Sequence, residues 1–210
     1  MENPVIIFGA QQLGLTALDI FNSNNVVVYC FLDDDAKLHQ TEINNIPVMG
    51  NTDDEEYLKI LGKKCEVFVA AEDSATRKSL AKMLKDEYKQ VSVNAIHKFS
   101  FVSDQAWLGF GIMVNAGAVI QPNAKVGDNC LILANAVIET GVTLGDYVQV
   151  GSGAIINANA TIEDEAFIGS GAIIVGGVKI GKKARIGAGS VVVTDVPANQ
   201  TFFGNPAKKV

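Results

Sequence analysis

Ile138-Glu139-Thr140-Gly141-Val142-Thr143-Leu144-Gly145-Asp146-Tyr147-Val148-Gln149-Val150-Gly151-Ser152-Gly153-Ala154-Ile155-Ile156 is the stretch that decides the fold. Ile138, Leu144, Val150 and Ile156 stand six apart. The same period runs in both directions without exception, from Ile96 to Val192. Four residues after most of these aliphatics comes a slim residue, such as Ala136, Val142, Val148 and Ala154. A period of six cannot serve a helix face, which repeats every ~3.6 residues. A fixed short period marks a solenoid instead. Each hexad then makes one short strand and one turn. The bulky aliphatic points into a narrow prism and the slim residue fits its corner. Glycine often follows the aliphatic, as at Gly109, Gly127, Gly145, Gly151, Gly169, Gly181 and Gly187. Glycine or Asn is expected to take the turn conformations that other residues resist. Stacked coils form a continuous aliphatic ladder, which suits an aromatic content of only 7%.

Upstream of the repeat the periodicity changes. Val5-Ile6-Ile7-Phe8 is an apolar run expected of a strand buried on both faces. A turn, Gly9-Ala10-Gln11-Gln12-Leu13-Gly14, follows, and then Leu15, Ala17, Leu18 and Phe21 at helical spacing. A helix N-terminus at such a turn presents free N–H groups to an anion. The turn holds only Gly9 and Gly14 of the full dinucleotide fingerprint. Val26 to Leu32 is a second apolar run, ending in Asp33-Asp34-Asp35. Acids at the carboxyl end of a strand bind ribose hydroxyls or base edges, and they also serve as turn formers. Ile46 to Gly50 reads as an edge segment, Asp53 to Leu61 as a helix, and Cys65 to Ala71 as a third buried strand. Ser74 to Leu84 reads as an amphipathic helix with Leu80, Met83 and Leu84 inward. The expected organisation is an α/β Rossmann-like domain over residues 1–92. A parallel β-helix of hexapeptide repeats follows over residues 93–210.

Composition narrows the function. Lys plus Arg is 17 and Asp plus Glu is 23, for a net charge of −6, which argues against a nucleic-acid surface. Cys30, Cys65 and Cys130 are an odd, scattered set with no CxxC, so buried free thiols are expected rather than a disulfide framework. No apolar run approaches the ~20 residues that span a bilayer, and the N-terminus has no basic leader pattern. A soluble, cytoplasmic protein without membrane insertion is the expectation. The chain holds two histidines in all, too few for a three-histidine metal site, and no metal is expected.

The order of parts, closed by Gly204-Asn205-Pro206-Ala207, resembles the bacterial sugar acyltransferases of the sialic acid O-acetyltransferase (NeuD) and PglD type. The resemblance rests on Ile7-Phe8-Gly9-Ala10, Phe31-Leu32-Asp33-Asp34, Ile46-Pro47-Val48-Met49-Gly50, Ala95-Ile96-His97, Val126-Gly127-Asp128-Asn129-Cys130 and Gly189-Ser190-Val191-Val192. It implies a left-handed β-helix, a homotrimer, and acetyl-CoA as co-substrate in the groove between neighbouring helices. It also implies a nucleotide-linked amino sugar held by the small domain, through Gly9, Gln11, Asp33 and Asp34. The implied reaction is N- or O-acylation in surface-glycan biosynthesis. Ala158, Ser170, Ala188 and Lys208, with Lys209, fall where the resemblance places acetyl-CoA, the Ala158 N–H at the thioester oxygen. The family's catalytic histidine sits in a segment shaped I-[DE]-H-[DE]. Here that segment is Ile138-Glu139-Thr140-Gly141, so Thr140 stands at the histidine and Gly141 at the orienting acid. A second histidine position holds Gln149. Threonine is no general base near neutral pH. Two functions stay open on these residues. One is a substrate-assisted acyltransferase in which Glu139, Thr140 and Gln149 orient an amine. The other is a catalytically inactive homologue serving as a trimeric scaffold or regulatory ligand-binding protein.

Overall fold

The computed structural model describes residues 3–210. The chain forms two compact units that divide between Lys98 and Phe99.

The first unit contains β1 (Val5–Phe8), α1 (Gln12–Ser23), β2 (Val28–Leu32), β3 (Glu42–Ile43), β4 (Ile46–Gly50), α2 (Glu55–Leu58), β5 (Glu66–Val69) and α3 (Ser74–Tyr88). The sheet order is β3-β4-β2-β1-β5, with every pairing parallel except β3 with β4. Ile6, Ile7, Phe8, Phe31 and Phe68 are wholly enclosed, as their continuous apolar runs require. Phe21 of α1 meets Phe68 edge to face at 5.7 Å. Leu58 of α2 and Leu84 of α3 pack in one cluster with Ile6, Phe8, Cys30 and Val67.

Three local expectations need correction. Ile46–Gly50 is not the edge, because β3 covers it as an antiparallel hairpin. Asn44 and Asn45, at φ 50° and 65°, make the two-residue turn whose twist suits a hairpin. The helix expected over Asp53–Leu61 is only Glu55–Leu58. Asp54 starts it by accepting from the Glu56 N–H at 2.9 Å, and Leu61 is drawn into a bridge with Cys65. Leu15 is 40% exposed; the buried stripe of α1 is Gly14, Ala17, Leu18, Ile20 and Phe21.

Cys30, Cys65 and Cys130 are all buried thiols. Burial, then the neighbouring Cys65, pushes the Cys30 thiol up to about 12. Above about pH 9 the unfolded chain loses this proton while the folded chain keeps it. Stability is therefore expected to fall from about pH 9 to about pH 12, and Cys30→Val is expected to flatten that slope in urea melts. An Ellman titration of the native protein should find no fast thiol.

The second unit is the left-handed β-helix. Each coil is 18 residues in register, as in Val119↔Val137 and Val137↔Ile155. Its two-residue strands stack into three parallel faces. The first face carries Val119–Ile120, Val137–Ile138, Ile155–Ile156 and Ile173–Ile174. The second carries Lys125–Val126, Thr143–Leu144, Thr161–Ile162 and Lys179–Ile180. The third carries Leu131–Ile132, Gln149–Val150, Phe167–Ile168 and Arg185–Ile186, and closes with the hairpin Thr201–Gly204 and Ala207–Lys209. Inward residues such as Ile138, Val150, Ile156 and Ile174 are fully enclosed, and so are the slim corner residues Ala136, Ala154 and Ala160.

Glycine or Asn holds most of the left-handed turn positions, as expected, but the glycines directly after the aliphatics do a different job. The left-handed residue of each corner lies two positions further on, at Gly141, Tyr147, Gly153, Asn159, Glu165 and Gly171 among others. Gly151 and Gly169 are needed for space instead. A Cβ there would lie 2.5 Å from the Ser170 and Ala188 amide nitrogens of the next coil. Glycine at this position lets corners stack at coil spacing.

Candidate functional site

The chain passes β1, β2 and β4 on one side and then returns to β5 on the other, so strand order reverses between β1 and β5. Crevices at the carboxyl ends of such strands are where open α/β sheets bind ligands. A cavity of about 280 Å³ lies there, with Gly9, Gln11, Asp33 and Asp34 in its lining. The four residues expected from sequence are thus brought together. Gly9, at φ 107°, holds a backbone closed to side chains, and a Cβ on it would meet the Ala70 carbonyl oxygen at 2.9 Å.

The two aspartates are partly spent on the fold. Asp33, 8% exposed, accepts from the Ala10 N–H at 2.7 Å and the Asp35 N–H at 2.9 Å, and so braces the β1–α1 turn. One oxygen of Asp34 accepts from both the N–H and the hydroxyl of Thr52, at 2.9 and 2.8 Å. Thr52, Thr76 and Leu80 also line the cavity and were not read from the sequence. Thr52 follows the carboxyl end of β4, so the same strand-end rule points to it.

The other wall is the β5–α3 loop. Glu72 accepts from the Gln12 N–H at 3.1 Å, so the first turn of α1 already faces a carboxylate. Asp73 caps α3 by accepting from the Thr76 N–H and hydroxyl, which hold its carboxyl below the usual range. Behind the loop, the guanidinium of Arg77, 1% exposed, donates to the Ala71 carbonyl at 2.8 Å and the Glu72 carbonyl at 3.3 Å. This buried cation ties down two cavity-lining residues.

On the β-helix, the corners differ in what their second-position amides meet. Between the second and third faces, the Phe110, Asp128 and Asp146 N–H groups donate to Asp128, Asp146 and Asp164 carboxylates of the next coil, at 2.8 to 3.1 Å. The corner between the third and first faces is different. The amides of Ala134, Ser152, Ser170 and Ala188 meet no acceptor among the described residues. Their neighbours Gly151, Gly153, Gly169 and Gly171 carry no side chain. This leaves a ladder of open donors beside small, exposed Ser170 and Ala188. Lys208 is exposed in the closing hairpin, opposite Phe203.

Glu139, Thr140 and Ala158 share the corner between the first and second faces. The Ala158 N–H, expected at a thioester oxygen, donates to Glu139 Oε2 at 3.0 Å. Thr140 is exposed and its carbonyl accepts from the Asn159 N–H at 3.1 Å. Gln149 lies on the third face, across the prism from this corner, so one chain does not bring it beside Thr140. Among the described residues no cluster of three or more His, Cys, Asp or Glu is placed to hold a metal ion.

A Rossmann-like unit ahead of a left-handed hexapeptide β-helix is the architecture of the NeuD and PglD type of sugar acyltransferase. Over residues 94–208 the sequence matches the family described as the GMPPB C-terminal domain, and the chain belongs to that family. Residues 4–84 match the PglD N-terminal domain. Among solved structures, a histidine variant of perosamine N-acetyltransferase from Caulobacter crescentus, in complex with CoA and GDP-perosamine, is 28% identical. The match covers 100% of this chain and 98% of that one, with a TM-score of 0.91. The acetyltransferase domain of PglB from Neisseria gonorrhoeae, in complex with acetyl coenzyme A, is 26% identical over 100% of both chains, with a TM-score of 0.91. WeeI from Acinetobacter baumannii is 25% identical over 100% of both chains, with a TM-score of 0.87. A search of the curated proteins finds no match to the sequence.

Proposed function

We propose that the chain is an acetyl-CoA-dependent N-acetyltransferase acting on a nucleotide-linked amino sugar. The observation that carries this is the full-length likeness to perosamine N-acetyltransferase in complex with CoA and GDP-perosamine. Each unit of this chain also offers a place for one substrate, the switch-point cavity in one and the open-amide corner in the other. The inactive scaffold is not favoured.

In this reading the cavity of Gly9, Gln11, Asp33 and Asp34 holds the nucleotide. The open amides beside Ser170 and Ala188 take acceptor atoms of the CoA arm, and Lys208 meets its phosphates. The amine attacks the thioester carbonyl at the Glu139–Thr140 corner, where Thr140 stands in for the family's histidine. Gln149 serves substrate positioning from a second copy of the chain, and the backbone at Ala158 lies against the acetyl-CoA thioester with its N–H held by Glu139. The outward row Val119, Val137, Ile155, Ile173 and Val191 on the first face is apolar throughout, and a homotrimer would cover it. Acetyl-CoA as acyl donor suits a cytoplasmic enzyme; among the described residues no helix is long and apolar enough to cross a membrane. The acylated nucleotide sugar is chemically a glycosyl donor, which fits surface-glycan synthesis.

The test is calorimetric titration with CoA, followed by thiol release from acetyl-CoA with GDP-perosamine and with UDP- and dTDP-linked 4-amino sugars. Saturable CoA binding and acceptor-dependent thiol release are expected. A folded protein that binds no CoA and releases no thiol with any acceptor would sink the reading.

A further inference from the structure

We propose that the Glu139 carboxylate receives the acceptor amine and takes its proton during acyl transfer. The inference rests on the acetyltransferase reading above. Glu139 is half-buried, and Oε2 accepts from the Ala158 N–H at 3.0 Å. No ion pair reaches it among the described residues. One coil below, the corner is Gln121-Pro122-Asn123-Ala124; one coil above, it is Asn157-Ala158-Asn159-Ala160. Neither carries a titratable group. The flanking outward side chains are Val119, Val137 and Ile155 on the first face and Lys125, Thr143 and Thr161 on the second, so Lys125 is the one charged neighbour. Both histidines, His39 and His97, lie in the first unit.

Another corner supplies the comparison. Glu163 accepts from the Lys182 N–H at 2.8 Å, the same bond from the same corner position. The bond alone is therefore a bracket between coils. Glu163, however, is also bridged by Lys179 at 2.7 Å, and that contact, with the Lys182 amide, holds its carboxyl below the usual range. Glu139 keeps the bracket and has no such cation. A carboxylate with an amide on one oxygen and no counter-ion keeps an acceptor for an N–H of a neutral amine.

The step balances without another reactant. The amine nitrogen bonds to the thioester carbonyl carbon and becomes acidic as it does so. Its proton passes to Glu139. The carbon–sulfur bond breaks, the thiolate takes that proton, and CoA leaves as the thiol with Glu139 again ionised.

Glu139→Gln keeps an oxygen for the Ala158 amide and removes the base. Its turnover at saturating acetyl-CoA is expected to fall ~10²-fold or more, with the acetyl-CoA KM unchanged. The deficit should shrink as pH rises and hydroxide replaces the carboxylate. Glu163→Gln, which alters the comparison corner, should leave turnover unchanged. Glu139→Asp keeps a carboxylate but shortens its reach. If proton transfer is the role, it retains turnover within about tenfold. If the bracket is the role, Glu139→Asp fails while Glu139→Gln, which keeps an acceptor for the Ala158 N–H, stays active. Undiminished turnover by Glu139→Gln, in an assay where the parent protein is active, overturns the inference and leaves the acetyltransferase reading standing. A parent protein without CoA binding or thiol release overturns both.

Discussion

Ile156→Asp is expected to abolish folding of the β-helix, while Ile155→Asp, one residue earlier, is expected to leave the β-helix folded and to weaken the proposed homotrimer. Ile156 is fully enclosed, stacked between Ile138 and Ile174 of the coils on either side. Ile155 points outward from the first face and is only half-buried. The enclosed position loses the ~2–3 kcal/mol of an aliphatic side chain's burial. It also takes a charge out of water, at an effective cost of several kcal/mol, with no partner inside an aliphatic prism. The sum approaches the ~5–15 kcal/mol that holds a domain together. A solenoid concentrates the damage, because each coil is stabilised only by its two neighbours and Ile156 lies mid-stack. Circular dichroism with limited proteolysis distinguishes the pair. A cooperative melt of Ile156→Asp close to that of the parent would mean that this row does not form the core.

Gly14→Ala is expected to destabilise the first unit by about 3 kcal/mol or more, a large cost for one methyl group. A Cβ at Gly14 would sit 2.1 Å from the Gly9 carbonyl oxygen and 3.4 Å from the Phe31 ring. The first obstacle is backbone, so α1 has to move off β1, and Gly9 and Gln11 of the cavity move with it. Hydrogen exchange of the α1 amides is the direct readout, and nucleotide affinity should fall in parallel. Gly153→Ala is the contrasting case. Gly153 has φ 67° with nothing within 4 Å of an added Cβ, so only the left-handed strain of ~1–2 kcal/mol applies. Equal effects of the two substitutions would show that α1 does not rest on β1 as closely as the structure has it.

The repeat was legible because its signal is redundant. The aliphatic positions from Ile96 to Val192 agree, and one misleading residue cannot hide a six-residue period. The letter of a glycine, however, does not say whether it serves a torsion or a close approach. Gly151 and Gly153 are two residues apart in one turn; the first is required by the amide of Ser170 on the next coil and the second by its own φ. In the first unit the strands were legible as apolar runs, whereas β3 was missed because two residues leave no pattern. Its Asn44-Asn45 turn was the available signal.

The candidate site divides in the same way. That Gly9, Gln11, Asp33 and Asp34 line one cavity was legible because strand ends are local in sequence. The use of Asp33 as a brace on Ala10, and of Asp34 as a partner for Thr52, depends on contacts between segments and was not.

The sequence by itself determined that the second unit is a hexapeptide coil with an aliphatic core, and that the first is an α/β sheet. Both follow from burial patterns that recur along the chain and need no knowledge of what lies across space. Only the tertiary structure decided that Glu139 brackets Ala158 without a counter-ion, that Gln149 lies on another face from Thr140, and that the Ser170 and Ala188 amides stay open. Those facts depend on which residues meet one coil away, at ~4.8 Å, and on which corner they meet. A repeat states that its coils stack, while the side chain that fills each gap is settled where the neighbouring coil comes to rest.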